Sequence, residues 1–333
     1  VHQRSKQSYD VITKAGGLWH RQWIHFSEAP NDKILAGEFP VSYVIGSGAF
    51  AKGYLLSDGD YLLQSPVTWY AGSDDLEMAP GYDGANHYGF TRVISEECMF
   101  CHAGLLSTRH SNPDHLAIHE LSIGCERCHG PGEAHSMLYR EIEAGVVDPS
   151  RSDFEPLIVH PGKLDRRRTE SICGQCHLHG DVEVTPPGGQ ISDFVAGENF
   201  ADTLLLYKHD QPGEFNSSFT GHFDQMWQSK CYLQSETLTC VTCHDSHRAE
   251  PVTDLAAWRR QQCNLCHSGD PPCGVPLDER IERADNDCIH CHMPSIATSI
   301  PHTSTTSHLI AIYESGKPLG IRSPDDKSLR RLQ

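Results

Sequence analysis

The sequence lacks long apolar runs and a recognisable leader. Its 333 residues contain no stretch near the roughly 18 apolar residues that a membrane helix needs, so we predict no membrane span. Residues 1–30 lack the charged, apolar and small-residue order of a signal peptide. An exported protein with this sequence would be numbered from after a removed leader, or its N-terminus would be incomplete.

Basic residues are also scarce relative to acidic ones. The chain has 27 Lys and Arg against 44 Asp and Glu, which gives a formal net charge of -17. This acidity argues against nucleic acid as a partner, because the phosphates would be repelled. It fits a protein that docks on basic patches of its partners, and plain solubility explains it equally well.

Cysteine and histidine, in contrast, are abundant, with 14 and 22 copies. Twelve of the cysteines form six Cys-x-x-Cys pairs, each followed at once by histidine: Cys98, Cys101 and His102; Cys125, Cys128 and His129; Cys173, Cys176 and His177; Cys240, Cys243 and His244; Cys263, Cys266 and His267; Cys288, Cys291 and His292. This spacing is the attachment signature of c-type haem. The two thiols reach the two vinyl groups of one porphyrin, and the adjacent histidine ligates its iron from the proximal side.

A single Cys-x-x-Cys pair has other uses, as half of a zinc site or as a redox dithiol. Six copies with the histidine in the same place far exceed what random placement supplies, and zinc ribbons do not require that histidine. We therefore predict six haem c groups, attached through the twelve cysteines and ligated by the six histidines that follow them.

The number of motifs also predicts the fold class. Six haems leave about 56 residues for each, so porphyrins would replace much of the apolar core. We expect a multihaem cytochrome c fold, with a haem-dominated core of short helices and long loops and a small β-rich N-terminal part. The predicted regions are 1–97, β-rich and without a haem motif; 98–310, the six-haem core; and 311–333, an exposed tail or linker. A hairpin is predicted around Asp58-Gly59, between apolar runs.

The surplus of histidine predicts the second axial ligand. Sixteen histidines remain after the proximal six, whereas only five methionines exist, so we expect bis-histidine ligation and low potentials. The candidate distal ligands are His119, His135, His247, His302 and His308, with His222 as a weaker candidate. The alternative for each is a surface histidine. Other histidines could supply the sixth ligand: His20, His25, His87, His110, His115, His160, His179 and His209.

Two cysteines, Cys231 and Cys273, lie outside the motifs. They could form one disulfide in an exported protein, or remain two inert thiols.

Several segments together resemble a family of multihaem cytochromes related to cytochrome c554, often fused to tetratricopeptide repeats. The matching segments are Tyr-Val-Ile-Gly-Ser-Gly at 43–48 with Tyr-Leu at 54–55, Glu-Cys-Met-Phe-Cys-His at 97–102, Gly-Cys-Glu-Arg-Cys-His-Gly-Pro-Gly-Glu-Ala-His at 124–135, Ser-Lys-Cys-Tyr-Leu-Gln-Ser at 229–235, Thr-Cys-Val-Thr-Cys-His-Asp-Ser-His at 239–247 and Cys-Ile-His-Cys-His-Met-Pro at 288–294. The resemblance implies that His135, His247, His302 and His308 belong to the family pattern. Relatives commonly have another haem motif upstream and repeats downstream, and neither is present here.

These features predict a hexahaem c-type cytochrome that moves electrons through closely spaced haems in the periplasm or outside the cell, where such haems are attached. We expect an electron-transfer protein rather than an enzyme. Its partners would be other redox proteins or extracellular electron acceptors, and a more specific hypothesis is self-association into a filament.

The runner-up function is a haem oxidoreductase that acts on a small nitrogen or sulfur compound at a five-coordinate haem. A third hypothesis makes the haems structural parts of an adhesion or scaffold module, which would leave six redox centres without a use.

Overall fold

The fold is taken from a computed structural model, which describes residues 2–29, 31–110, 112–150, 157–209, 221–248, 252–269, 273–298, 303–320 and 329–332. The chain divides into two compact units. The first, here called the sheet unit, comprises Val1–Gly124 with Ile300–Thr303. The second unit comprises Cys125–Ser299 and Ser304–Gln333. The division falls after the first motif, and therefore does not coincide with the predicted boundary at residues 97 and 98.

The sheet unit is built on one eight-stranded antiparallel sheet. Its elements are β1 (Gln7–Lys14), β2 (Gly17–His25), β3 (Lys33–Ile45), β4 (Ala51–Asp58), β5 (Tyr61–Tyr70), β6 (Asp75–Met78), α1 (Glu96–Phe100), β7 (Leu105–Arg109) and β8 (Asn112–Glu120). The strand order is β1-β2-β3-β4-β5-β8-β7, and β6 also pairs with β5. The order follows the chain except at β8 and β7, so most neighbours are joined by short turns.

The turn between β4 and β5 confirms the predicted hairpin. Asp58 pairs with Tyr61 across it, and Gly59 has a φ of +60°, a left-handed conformation that glycine adopts without strain. Beyond the turn, Leu55 and Leu56 of β4 and Leu62 of β5 are buried. A cluster of buried side chains there joins the sheet to α1: Leu55, Leu62, Ile94, Met99, Ala103 and Leu116.

The second unit contains more helices, together with three small antiparallel sheets. Its elements are α2 (Glu126–His129), α3 (Glu133–Glu143), α4 (Arg166–His177), β9 (Val182–Val184), α5 (Phe200–Thr203), β10 (Leu205–His209), α6 (His222–Trp227), α7 (Lys230–Gln234), α8 (Cys240–Cys243), α9 (Leu255–Asn264), α10 (Leu277–Ala284), α11 (Cys288–His292), β11 (Ser295–Ala297), β12 (Ser304–Thr306), β13 (Tyr313–Glu314), β14 (Lys317–Pro318) and β15 (Leu329–Arg331). The largest of these sheets has the order β15-β10-β9.

A hydrophobic cluster forms the interior of the second unit: Leu178, Phe194, Phe200, Leu204, Leu206, Phe223 and Leu332. Beside it, Asp224 accepts hydrogen bonds from Lys208 at 2.8 Å and Arg330 at 2.9 Å. Burial raises the pKa of Asp224. The charges and hydrogen bonds of Lys208 and Arg330 lower it by more, so the pKa lies below its ordinary value. Within the predicted exposed tail or linker, β15 pairs with β10, and Leu332 is buried.

The predicted fold class is wrong. We expected a haem-dominated core beside a small β-rich part, whereas the structure is a β-rich antiparallel fold in which side chains form the hydrophobic cluster of each unit. The β-rich part extends through β8 and includes the first motif. The prediction gave porphyrins much of the place of the apolar core, but residues 1–124 contain only one of the six motifs and retain enough apolar side chains for their own core.

The helices of the described residues include none with both the length and the apolar character needed to cross a bilayer.

Candidate functional site

Each predicted haem motif lies on a short helical turn. The histidine amide donates to the carbonyl of the first cysteine in three motifs, from His129 at 2.9 Å, His244 at 2.9 Å and His267 at 3.0 Å. The third motif ends α4, and the sixth forms α11. Residues three and four apart share a helix face. The turn therefore places both thiols and the histidine of a motif on the same side.

The first motif is oriented by the sheet. Its two inner residues, Met99 and Phe100, are buried at 2% and 1% exposure, and Met99 belongs to the hydrophobic cluster below α1. Cys98 and His102 are exposed. Burial of the apolar pair thus turns the reactive side chains outward.

In the second motif, the proximal histidine faces a predicted distal ligand. The rings of His129 and His247 lie 5.8 Å apart between centroids and are inclined by 16°. His129 Nδ1 donates to the carbonyl of Val159 at 2.7 Å. That bond fixes the ring orientation and leaves Nε2 as the nitrogen available to a metal.

The third and fourth motifs meet in a group of four histidines. His177 lies 5.4 Å from His222, with the rings at 88°. His244 lies 6.2 Å from His308, with the rings at 22°. The structure thus brings three predicted distal ligands, including the weaker candidate His222, opposite three different proximal histidines.

The same orienting hydrogen bond recurs at two other histidines. His292 Nδ1 of the sixth motif donates to the carbonyl of Ala311 at 2.9 Å, and His308 Nδ1 donates to the carbonyl of Thr306 at 3.0 Å. Backbone acceptors of this kind commonly set the tautomer of a metal-ligating histidine. In both residues Nε2 is left as the nitrogen available to a metal.

Burial keeps two of the candidate distal histidines, His222 and His308, neutral at pH 7. It lowers the pKa of His222 to about 3, assisted by the neighbouring His308 and His177. It also lowers the pKa of His308 to about 4. Neutral imidazole is the form that binds a metal. His222 Nδ1 is moreover buried without a hydrogen-bond partner in the described residues.

The first thiols of neighbouring motifs form two pairs. The side chains of Cys173 and Cys240 lie close enough to interact, and so do those of Cys263 and Cys288. In each pair this interaction lowers the pKa of one thiol, Cys173 or Cys288, and raises that of its partner. For Cys288 the resulting pKa is about 6. The third motif is thus joined to the fourth, and the fifth to the sixth.

The ring separations of the facing histidines are close to those of the two axial ligands of a haem. Two metal–imidazole bonds of about 2 Å in line place the ring centroids about 6 Å apart. The three observed separations lie between 5.4 and 6.2 Å. No group of three or more His, Cys, Asp and Glu side chains converges as a metal site within the described ranges. A haem iron needs only two axial ligands from protein, because the porphyrin supplies the other four.

Two predicted distal ligands occupy other surroundings in the structure. His119, on β8, is hydrogen-bonded through Nε2 to the Ser107 hydroxyl at 2.8 Å. His135, on α3, packs its ring against Tyr139 at 4.6 Å. His302 lies outside the described residues.

The two cysteines outside the motifs are both free thiols in the structure. Cys231 lies close enough to Cys243 and Cys266 for their charges to interact.

Glu170 was not singled out from the sequence, although it lies one helical turn before the third motif. It is 6% exposed, and its carboxylate accepts hydrogen bonds from Tyr232 at 2.9 Å and Trp227 at 3.2 Å. Burial raises its pKa, against these bonds and the charge of Arg166. Its position on the same helix face as Cys173 was the available signal.

No protein-family model, no curated protein and no solved structure matches the chain.

Proposed function

We propose that the protein is a hexahaem c-type cytochrome that carries electrons. The observation behind this proposal is the set of three imidazole pairs, each formed by the histidine of a Cys-x-x-Cys-His motif and a histidine distant in sequence. Bound haem would supply an iron that takes up and releases one electron. The resemblance to multihaem cytochromes related to cytochrome c554 predicts the same function.

The residues of the chain would attach, orient and insulate the haems. Each attachment would add a cysteine S–H across a vinyl double bond: the S–H bond and the vinyl π bond would break, one C–S and one C–H bond would form, and no net oxidation or reduction would occur. The carbonyl groups of Val159, Ala311 and Thr306 fix three imidazole rings through Nδ1. Burial of His222 and His308 excludes protons that would compete for the ligating nitrogens.

The proposed cellular location and partners follow from the chemistry of haem attachment. Covalent haem would be added in the periplasm or outside the cell, and the partners would be redox proteins or extracellular acceptors. The net charge of -17 favours partners with basic docking patches. Self-association into a filament is a narrower form of this proposal.

The test is the haem content and iron spin state of the purified, exported protein. Alkaline pyridine haemochrome spectra with intact mass should give six covalent haems per chain. Electron paramagnetic resonance of the oxidised protein should show low-spin iron, and carbon monoxide, nitrite and hydroxylamine should leave the reduced spectrum unchanged.

Two outcomes would redirect the proposal. A chain without covalent haem after expression with haem-attachment machinery would refute it. A high-spin haem that binds nitrite or hydroxylamine would instead favour the oxidoreductase alternative, because such an iron has an open position for a substrate.

A further inference from the structure

The third and fourth motifs are in contact at two separate places. Their first thiols, Cys173 and Cys240, interact and pack against the same hydrophobic cluster. Their predicted distal ligands, His222 and His308, also touch, with ring centroids 4.5 Å apart and planes at 81°. The two sites therefore meet on both the attachment side and the distal side.

Buried hydrogen bonds hold the distal contact. The amide of His308 donates to Gln225 Oε1 at 2.7 Å, and Gln225 lies on α6, three residues after His222. The Ser229 hydroxyl, which is fully buried, donates to the carbonyl of His308 at 3.3 Å and accepts from the amide of Ile310 at 2.8 Å. The segment that contains His308 is thus fixed to the helix that contains His222.

We propose that His222 and His308 join the third and fourth haem sites into one electronically coupled pair, with electrons crossing at the contact of the two imidazole rings. This inference rests on the proposed function. Edge-to-face contact leaves no room for water between the rings. In such a low-dielectric contact the charge on one iron acts strongly on the other. The two measured reduction potentials then describe the pair and not either iron alone, as the two pKa values of interacting acids describe the pair.

The test uses the haem-loaded full chain with His222→Met and His308→Met, followed by electron paramagnetic resonance during a redox titration. Methionine keeps a ligand and raises the potential of its own iron. If the sites are coupled, each substitution should shift the signals and potentials of two irons. The matched control is His247→Met, whose ring faces His129, and it should shift only one.

A second variant leaves every ligand in place. Gln225→Met removes the acceptor of the His308 amide, and we expect it to weaken the interaction between the two irons while six haems remain attached. Single-iron shifts in both methionine variants would overturn the inference even if the haem count is six. A protein without covalent haem at either motif would refute the proposed function itself, which the haemochrome assay detects before any titration.

Discussion

Buried histidine has different roles in the two units. His20 in the sheet unit and His308 in the second unit both have a pKa lowered to about 4 by burial, and both have Nδ1 hydrogen-bonded. The ring of His20 packs edge-on against Tyr54, and its Nε2 has no partner in the described residues. His308 faces His244 and touches His222. A facing imidazole, rather than burial or a low pKa, therefore distinguishes a candidate ligand from a core residue.

Removal of one attachment site should give the largest effect. We expect Cys125→Ala/Cys128→Ala to lower the haem count from six to five, because the second motif then has no thiol left to bind haem. Pyridine haemochrome spectra and intact mass would measure this loss. Cys231→Ala, outside the motifs, is the control and should keep six haems; an unchanged count in the double variant would show that this motif attaches no haem.

Breaking the buried ion pairs of the second unit should give the next largest effect. Asp224→Asn leaves Lys208 without its anion, and breaking a buried pair in this way costs about 3 kcal/mol or more. Urea unfolding, followed by circular dichroism, should show the loss. Asp202→Asn, at an exposed position, is the control. Equal stabilities of the two variants would mean that the Lys208–Asp224–Arg330 group contributes little to this unit.

The structural role of His20 predicts a pH effect in the sheet unit. Its folded pKa lies near 4 against an ordinary 6.5, so its contribution is present above pH 6.5 and is lost as the pH falls through 4. The loss between pH 7 and pH 4 should be about 3 kcal/mol. His20→Leu should lack this dependence in denaturant titrations, whereas His25→Leu, on the same strand, should retain it. A variant that still loses as much stability as the parent would contradict this role.

A smaller pH effect of opposite sign is expected from Glu170. Its folded pKa is raised, so the proton is bound more tightly in the folded state. The contribution of Glu170 to stability should be largest below its ordinary pKa and should decline as the pH rises through the raised value. Glu170→Gln should flatten this decline, as measured by the unfolding midpoint across pH. Glu183→Gln, an exposed control, should leave the decline as it is.

The sequence identified what depends on local spacing. The Asp58-Gly59 hairpin was predictable because the turn residues and flanking apolar runs are adjacent, and the motifs were found in the same way. The pairing of distal with proximal histidines was not predictable. His247 lies far along the chain from His129, and only tertiary packing brings them together. The extent of the sheet was missed because its first strands do not alternate cleanly between apolar and polar residues.

The pairing of β15 with β10 determines the order in which the two units can fold during synthesis. Asp224 follows His222 by two residues and is held by Arg330 of β15, so the helix of this candidate ligand is fully anchored only after the chain has been made through that strand. The strands of the sheet unit are complete at Glu120. Because a chain emerges N-terminal end first and its domains fold as units, the first motif can be framed by a folded sheet while the third still awaits its last supporting strand.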